Sequence, residues 1–456
     1  MLLVEVPPSR FVERRYAAGV VFGEYLGLPF ELSGTATDVV RLSVPGMRGS
    51  ILMPDTLLSM SESAWLTQQS LPKAPLRLWD PASIGQISKL GRPLPIIYGG
   101  DFEAAPDEPG SLVLPIDVFA SVFFMLTRYE ELVVEERDEH NRFPASASLA
   151  CREGFLTRPI VDEYVETLWQ AIRSLWPGME RKHRTCRTLI SCDVDYPLSR
   201  RRTIALMART VGADLVRHRS LSLAMRRVMG YAGFAQADPF NTFEWMMDVN
   251  ERAGNQLTFF FVSECLVPEI DPEYDIHSDF IISLMKRLHQ RGHLIGMHGS
   301  YASYASRDQL CHEAARLRSA MECADIRQDI IGARQHFLRW ATPTTAAALE
   351  DAGVVYDSTL GYAQTVGYRC GTCREFPLFD LASRRELALR ERPLLVMEGS
   401  VHADMYMGLG ITPKALDVMQ SLKQTTRLFD GDFTLLWHNS EFLSQRAKEH
   451  YCEVIA

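Results

Sequence analysis

From about residue 185 onward, short apolar runs alternate with longer stretches of helical pattern. This alternation is typical of repeated β/α units, in which each helix carries the chain back to begin the next parallel strand. Seven runs have the length and composition of strands: 188–192, 257–262, 293–297, 330–333, 354–356, 394–397 and 433–437. They predict a parallel sheet or a barrel.

Each predicted strand has a chemically capable polar residue at or just beyond its end. These residues are Asp193, Ser263, His298, Arg334, Asp357, Glu398 and His438. Strand ends are often polar simply because loops begin there, but in β/α barrels the carboxyl ends of the strands also build the active site. Because the pattern holds for the whole set, it favours a catalytic rim.

The chain before this region has a different character. Short β-like runs are mixed with turns rich in proline and glycine, and the spacing of apolar residues predicts helices over 116–133 and 161–175. A polar linker follows at 181–184. A chain of 456 residues is expected to form two or three domains. The strand count favours two, a smaller mixed α+β domain over 1–184 and a β/α barrel over 185–456.

The composition excludes some classes of function. The 48 Lys and Arg residues against 57 Asp and Glu residues give a net charge of −9, so a general role in binding nucleic acid gains no support. Glu5 and two prolines interrupt the N-terminal apolar residues, and no uncharged apolar stretch approaches roughly 18 residues. We therefore expect neither a secretory signal nor a transmembrane helix, and a cytoplasmic location.

The cysteines also indicate a reducing environment. There are nine, an odd number, scattered from Cys151 to Cys452, which suits reduced thiols better than a disulfide framework. Cys370 and Cys373 form a lone CxxC pair. Without a partner pair, this spacing favours packing over a zinc site.

The first motif with chemical content is the acidic pair Asp193 and Asp195. Residues two apart in extended backbone face the same side, so the two carboxylates converge. Two close carboxylates resist joint ionisation unless a cation or hydrogen bonds stabilise them. One carboxylate holding a divalent metal while the other takes a proton would resolve this conflict. A turn or a helix-capping acid pair is the alternative interpretation.

Two histidines and an arginine supply the other candidate groups. His298 precedes a glycine at a strand end and is a candidate metal ligand, whereas His293 would face the opposite side of the same strand. Arg334 could bind a carboxylate through two hydrogen bonds, and Asp193 is the obvious partner. His438, which follows the last predicted strand, could protonate a leaving amine.

Taken in order, these motifs resemble those of the polysaccharide deacetylases, the NodB-homology domains of carbohydrate esterase family 4. The resemblance covers about residues 185–445. It implies a distorted (β/α)₇ barrel that removes N-acetyl, or sometimes O-acetyl, groups from glycans with a divalent metal. By similarity Asp193 is the catalytic base, Arg334 orients it, and His438 is the catalytic acid. Asp195 and His298 are metal ligands.

The sequence departs from this family at two places. Val194 separates two acids that are usually adjacent, and Ala302 stands where the second histidine of His-x-x-x-His is expected. The resemblance then leaves one metal ligand to be found. His336 could supply it, and water, Tyr301 or Tyr304 are alternatives. Zinc is the favoured ion, with cobalt, manganese and nickel as alternatives.

The same resemblance guides expectations about the substrate and the first domain. Tyr301, Trp340 and Asp357 are predicted to contact substrate, although core packing is the commoner role of a tryptophan such as Trp340. The segment 117–131, with 142–144 after it, resembles an uncharacterised domain that precedes some bacterial deacetylase domains. No chemistry is assigned to that domain.

The expected activity is therefore hydrolysis of a carbon–nitrogen bond other than a peptide bond, in an acetylated sugar or glycan. One alternative is a different metal-dependent hydrolase of small amides. Another is a silent barrel that binds glycan or scaffolds polysaccharide assembly, for which Ala302 is the main support. The sequence leaves the oligomeric state open.

A long insert over 198–233 separates the first two predicted strands and contains eight arginines. Its apolar residues could form one face of a basic amphipathic helix. Such a helix could make peripheral contact with an anionic membrane, although packing on its own domain is the commoner outcome.

Overall fold

A computed structural model of the chain describes residues 1–100, 102, 110–199, 204–216 and 219–456, and of the side chains in this part it leaves out those of 204 and 206. Arg200, Arg201, Arg202 and Arg217 of the arginine-rich insert lie outside the described residues. Among the described residues, no helix combines the length and the apolar character needed to cross a membrane.

The N-terminal region is a mixed α+β unit, as predicted. Its main sheet has the order β2-β1-β3-β4-β7 and combines parallel with antiparallel pairs, while β5 and β6 form a small separate hairpin. The strands are β1 Leu2–Val6, β2 Phe30–Gly34, β3 Val39–Ser43, β4 Ile51–Pro54, β5 Leu78–Trp79, β6 Leu94–Pro95 and β7 Leu112–Val113. The helices are α1 Phe11–Ala18, α2 Val118–Leu126, α3 Tyr129–Val133, α4 Leu149–Arg152 and α5 Ile160–Leu175.

The two predicted helices of this region have different outcomes. The helix predicted over 161–175 is confirmed as α5, which buries one apolar face and ends before Pro177. The single helix predicted over 116–133 is wrong, because α2 and α3 are separate. The break lies at Arg128, whose φ of 53° is left-handed, and its buried guanidinium contacts two glutamates of the next turn.

The C-terminal region confirms the predicted β/α architecture. Its nine-stranded sheet has the order β13-β14-β12-β11-β10-β9-β8-β16-β15. The strands are β8 Arg187–Val194, β9 Leu257–Val262, β10 Leu294–Gly299, β11 Gly332–Gln335, β12 Tyr356–Asp357, β13 Phe376–Asp380, β14 Arg385–Glu391, β15 Val396–Met397 and β16 Asp432–Leu436. The helices are α6 Ile204–Val216, α7 Leu221–Tyr231, α8 Phe243–Arg252, α9 Asp279–Gln290, α10 Arg307–Cys323, α11 Thr344–Asp351, α12 Glu398–His402, α13 Pro413–Leu428 and α14 Gln445–Ile455.

All seven predicted strands are present and pair in parallel. The sequence did not predict β13 and β14, an antiparallel hairpin whose second strand extends the sheet beside β12. Every residue of β13 is buried, so it lacks the alternation that marks a half-exposed strand. The hairpin therefore forms one edge of the sheet and β15 forms the other.

The sheet is strongly curled. Arg334 on β11 donates a hydrogen bond to Asp193 on β8, although two strands lie between them. Three steps between neighbouring strands of a flat sheet would span about 14 Å. The hydroxyls of Thr258 on β9 and Tyr356 on β12, which are also three strands apart, lie 3.4 Å from each other. The sheet thus folds round to a half-barrel and brings strand ends together.

The two regions pack against each other through buried polar contacts. Tyr16 Oη donates a hydrogen bond to the carbonyl of Pro377 at 2.8 Å, and the hydroxyls of Tyr25 and Thr372 lie 2.9 Å apart. The largest hydrophobic core cluster contains residues of both regions. The N-terminal region is therefore placed to affect the rim of the half-barrel.

Candidate active site

The carboxyl ends of five parallel strands bring the predicted groups together. Asp193 is the last residue but one of β8, His298 lies near the end of β10, and His336 directly follows β11. Glu398 follows β15 and His438 follows β16. Because these strands run in parallel, their carboxyl ends meet at the same edge of the sheet. The curl then closes the remaining distance between them.

Asp193 and Arg334 form a buried ion pair. Arg334 Nη1 donates to Asp193 Oδ1 at 2.9 Å and to Ser191 Oγ at 2.7 Å. The other guanidinium nitrogens donate to Ser358, and both charged side chains are at most 4 % exposed. Asp193 Oδ1 is therefore held in place, while Oδ2 lies toward His298 at 3.7 Å.

A second cluster contains Asp195, His298 and His336. One ligand atom from each of the three lies within 4.8 Å of the others. His298 Nε2 is 3.4 Å from Asp195 Oδ1, and His336 Nε2 is 3.9 Å from the same oxygen. Carboxylate and imidazole donors at such separations can bind one divalent ion.

Hydrogen bonds orient both imidazoles toward this point. His298 Nδ1 lies 2.9 Å from the carbonyl oxygen of Arg334, which can only accept, so Nδ1 carries the proton. His336 Nδ1 lies 3.1 Å from the buried carboxylate of Asp271. In each ring the Nε2 lone pair is left to face Asp195, as a metal ligand requires.

Asp195 itself fits a cation. Its Oδ1 is buried and has no hydrogen-bond partner among the described residues. Burial alone would raise the pKa of this carboxyl group, but the contact with His298 and the charges of His336 and His438 hold it below its usual value. A buried, ionised oxygen without a hydrogen bond is a group that a bound cation would satisfy.

His438 forms the opposite side of the site. Its Nε2 is 3.5 Å from Asp195 Oδ2, and its Nδ1 lies 2.5 Å from Glu398 Oε1. Burial would lower the pKa of His438, but the Glu398 carboxylate and then the two aspartates outweigh it and raise the pKa to about 10. His438 is therefore held as an imidazolium that can donate a proton.

These groups open into one cavity of about 160 Å³. Its polar side contains Asp193, Asp195, His298, His336 and His438. The rest of the wall is mainly apolar and is formed by Phe337, Leu338, Ala363, Met397, Tyr406 and Leu436. Arg142, from the N-terminal region, also lines the cavity, so both regions of the chain contribute to it.

Arg142 is fixed by several contacts. Its Nε donates to Asp138 Oδ2 at 2.8 Å and its Nη1 donates to the carbonyl of Phe337 at 3.0 Å. Only 5 % of the residue is exposed. The loop that carries it also contacts the barrel through Asn141, whose side-chain amide donates to Tyr304 Oη.

The three predicted substrate contacts are not among the residues that line the cavity. Trp340 is only 4 % exposed and its indole N–H donates to Thr342, so it packs in the core. Asp357 is completely buried and accepts hydrogen bonds from Thr359. Tyr301 packs against Arg339 and its hydroxyl lies 3.1 Å from a ring nitrogen of His140.

Ala302, where the resemblance predicts a second histidine, lies outside the site. Ala302 is exposed, and Tyr304 directs its hydroxyl to Asn141. His336 instead lies beside His298, with ring centroids 5.1 Å apart. Of the alternatives for the third ligand, His336 is therefore the side chain that lies in the cluster.

Three contributing residues were not assigned a role from the sequence. Asp271 lies in the loop between β9 and α9, where no pattern distinguishes it from other loop acids. Glu398 could have been found, because it follows a predicted strand in the same way as His438. Arg142 lies far from the barrel in sequence, so only the packing of the two regions reveals it.

The CxxC pair takes no part in the site. Cys370 and Cys373 are buried and form no disulfide. Burial raises the pKa of both thiols. Both residues pack in the hydrophobic core.

Comparisons with solved structures gave similarities of low identity. A putative polysaccharide deacetylase from Mycobacterium smegmatis is 19 % identical, with 60 % of this chain and 85 % of that chain covered and a TM-score of 0.39. Puue allantoinase is 12 % identical, with coverages of 61 % and 85 % and a TM-score of 0.37. A probable polysaccharide deacetylase from Pseudomonas aeruginosa PAO1 is 13 % identical, with coverages of 68 % and 90 % and a TM-score of 0.36. At these values we draw no functional conclusion from them.

Comparisons of the sequence concern the first region only. No curated protein matches the chain. Residues 2–177 match a family model described as a family of unknown function, DUF7033. The matched segment ends two residues after α5 and before β8 begins, so it coincides with the mixed α+β region.

Proposed function

We propose that this protein is a metal-dependent hydrolase that removes acetyl groups, with N-acetyl favoured, from a sugar or polysaccharide precursor. The observation that carries the proposal is that three groups of side chains meet at one cavity. They are the Asp195–His298–His336 cluster, the Asp193–Arg334 pair and the His438–Glu398 pair. The resemblance of the motifs to those of the polysaccharide deacetylases supports the choice of substrate.

Asp195, His298 and His336 would hold the cation. Two imidazoles and one carboxylate are a donor set that zinc accepts well, and three protein ligands leave a position for water and substrate. When bound, a divalent ion would polarise the acyl carbonyl and lower the pKa of water in the site. The buried Oδ1 of Asp195, without a hydrogen-bond partner, supports this assignment.

The remaining residues divide the proton transfers between them. Asp193, held in position by Arg334, takes a proton from the attacking water. The water oxygen forms a bond to the acyl carbon, and the bond from that carbon to the amine nitrogen then breaks. His438, kept protonated by Glu398, gives its proton to the departing nitrogen. The products are a free amino sugar and acetate.

The shape of the cavity suits a small acyl group. Its apolar wall includes Leu338, Ala363 and Leu436, which form a compact cluster beside the acidic groups. A methyl group placed against this wall would be removed from water, while the carbonyl of the acyl group would remain near the polar side of the cavity. This arrangement favours acetyl over a charged acyl group.

The decisive experiment combines metal analysis with turnover. Purified protein is incubated with Zn²⁺, dialysed, and analysed for bound metal beside His298→Ala. We expect about one ion per chain in the wild type and loss of most of it in the variant. A wild type that retains no divalent ion would favour the silent barrel.

Turnover is then measured on acetylated amino sugars and, separately, on small cyclic amides. Asp193→Asn should reduce turnover by at least about a hundredfold while metal content is kept, because the variant lacks the base but not the ligands. Wild-type activity confined to cyclic amides would replace the deacetylase proposal with that of another C–N hydrolase. Full activity of Asp193→Asn would show that Asp193 is not the catalytic base.

A further inference from the structure

The arginine-rich insert forms a helical hairpin that is apolar on the outside. Helix α7 exposes Leu221, Met225, Val228 and Met229, which are between 43 % and 69 % exposed. Their spacing of four, three and one residues places them on one side of the helix. We call these four residues the apolar stripe. A surface helix of a soluble domain normally turns such a stripe toward the core.

The opposite face of α7 shows that this orientation is fixed. Arg227 is buried there and binds Asp214 of α6 through two hydrogen bonds of 2.6 and 3.2 Å. Both side chains are 2 % exposed. The hairpin therefore packs with an ion pair inside and an aliphatic stripe outside. Rotating α7 to hide the stripe would break this buried pair and leave its charges without partners.

Further exposed apolar residues flank the stripe in the sequence. Leu215 and Val216 at the end of α6 are 46 % and 80 % exposed, and Phe234 after α7 is 61 % exposed. Apolar surface exposed in this amount usually marks an interaction site. Among the described residues, no other part of this hairpin covers it.

The charge of the insert indicates what the stripe contacts. Residues 198–233 contain eight arginines and one aspartate, a formal charge of +7, whereas the whole protein carries −9. Arg209 and Arg219 are exposed within the hairpin. An aliphatic stripe in a strongly basic segment fits the surface of an anionic membrane, where apolar side chains enter the acyl boundary and exposed arginines such as Arg209 and Arg219 meet phosphate groups.

The base of the hairpin is attached to the catalytic rim. The insert begins directly after Asp195 and Tyr196, and its return segment leads to Phe240 and α8. The side-chain amide of Asn439, next to His438, donates to the carbonyls of Tyr196 and Phe240, each at 2.8 Å. The two ends of the insert are thus fixed next to His438, which lines the cavity.

We infer that the α6–α7 hairpin docks this protein on an anionic lipid surface, with the mouth of the cavity next to the headgroups. Docking itself is independent of catalysis. Its consequence for the substrate rests on the proposed function: the acetylated sugar would be carried at the membrane surface, for example on a lipid anchor.

The test is co-sedimentation of the full chain with vesicles. One set contains equal parts of phosphatidylcholine and phosphatidylglycerol, and the other contains phosphatidylcholine alone. We expect binding to the anionic vesicles to be at least about tenfold stronger, and to weaken as salt is raised. Hydrogen exchange should slow over 221–234 when anionic vesicles are added, which locates the contact without any substitution.

Two variants divide the apolar from the electrostatic contribution. Leu221→Ser with Met225→Ser should weaken binding to anionic vesicles at least about tenfold. Arg209→Gln with Arg219→Gln should also lose about tenfold, and only on anionic vesicles. The matched control is Leu78→Ser with Ile87→Ser, two residues of the N-terminal region that are 68 % and 77 % exposed. It should bind as the wild type does.

Three outcomes would overturn the inference. They are absence of wild-type binding to anionic vesicles at low salt, equal loss in the control variant, and a wild-type dimer that the Leu221→Ser and Met225→Ser substitutions dissociate. In the last case the stripe would bind a second copy of the chain. If a hairpin variant loses lipid binding but still hydrolyses a soluble amide, the proposed function stands without the docking. If the wild type binds lipid but hydrolyses no substrate, only the proposed function is refuted.

Discussion

The carboxylate of Asp271 joins two parts of the candidate site, because its Oδ1 lies 3.1 Å from Nδ1 of His336 and accepts the backbone N–H of Tyr301 at 2.7 Å. The side chain of Asp271 is completely buried. It fixes the ring of His336 so that Nε2 faces Asp195. A carboxylate behind a histidine ligand usually controls both its orientation and its basicity.

Replacing Asp271 should therefore weaken metal binding without removing a ligand. We expect Asp271→Asn to lower the affinity for Zn²⁺ by about tenfold to a hundredfold. Competition with a chromogenic chelator measures this directly. Asp275→Asn is the matched control, since Asp275 lies in the same loop but is 67 % exposed and does not contact the cluster. Equal affinities for both variants would contradict the role of Asp271.

Glu398 should matter for proton donation rather than for metal binding. In Glu398→Gln the imidazolium of His438 loses its charged partner, so less of it is protonated and its ring is held less firmly. We expect kcat on an acetylated amino sugar to fall by about tenfold to a hundredfold, with unchanged metal content. Loss of the metal together with activity would instead show that Glu398 supports the whole rim.

Arg142 tests whether the N-terminal region contributes to the reaction. Its guanidinium lines the cavity and donates to the carbonyl of Phe337 in the barrel. Arg142→Met should lower kcat/KM by about tenfold, because it changes the wall and loosens the contact with Phe337. Arg152→Met, at an exposed position of α4, should retain wild-type kinetics. An unchanged kcat/KM in Arg142→Met would mean that the N-terminal region has no influence on the site.

A buried ion pair links the two regions and should make stability depend on pH. Glu131 of α3 accepts two hydrogen bonds from Arg369, at 2.9 and 2.8 Å, and one from Arg128. Burial raises the pKa of Glu131, but the two arginines outweigh burial and lower it to about 2. Glutamate in an unfolded chain titrates near 4.3. The folded state thus binds fewer protons than the unfolded state between these values.

The contribution of the Glu131 carboxylate to stability is therefore complete above about pH 5 and is lost as the pH falls toward 2. We expect Glu131→Gln to lower the free energy of unfolding at neutral pH by about 3–5 kcal/mol, because two buried guanidinium groups lose their partner. It should also flatten the acid limb of the curve of stability against pH. Denaturant titration of both proteins measures these effects. Glu136→Gln, at an exposed position nearby, should change neither.

Much of the architecture could be predicted from the sequence because it depends on local pattern. Each of the seven parallel strands is a short apolar run that ends at a polar residue, and their alternation with helical stretches is typical of a parallel sheet. The positions of Asp193, Arg334 and His438 were likewise predictable, since strand ends share one edge of a parallel sheet.

Other features depend on tertiary contacts that no local pattern records. Helix α2 ends at Leu126, because Arg128 adopts a left-handed conformation in which it reaches partners that include the carbonyl of Arg369, 241 residues away. Trp340 was expected to contact substrate but is buried in the core. The partner of His336 is Asp271, a loop residue whose role appears only when β9 and β11 are near each other.

The pairing of β16 with β8 has a consequence for the synthesis of the protein. β8 opens the half-barrel, whereas β16 is the latest of the described strands along the chain, yet the two are neighbours in the sheet. A ribosome must therefore complete residues 432–436 before β8 gains its second neighbour, and His438 emerges only after them. The nascent chain, although it already contains Asp193 and all three candidate metal ligands, lacks the proton donor until residue 438 has been added.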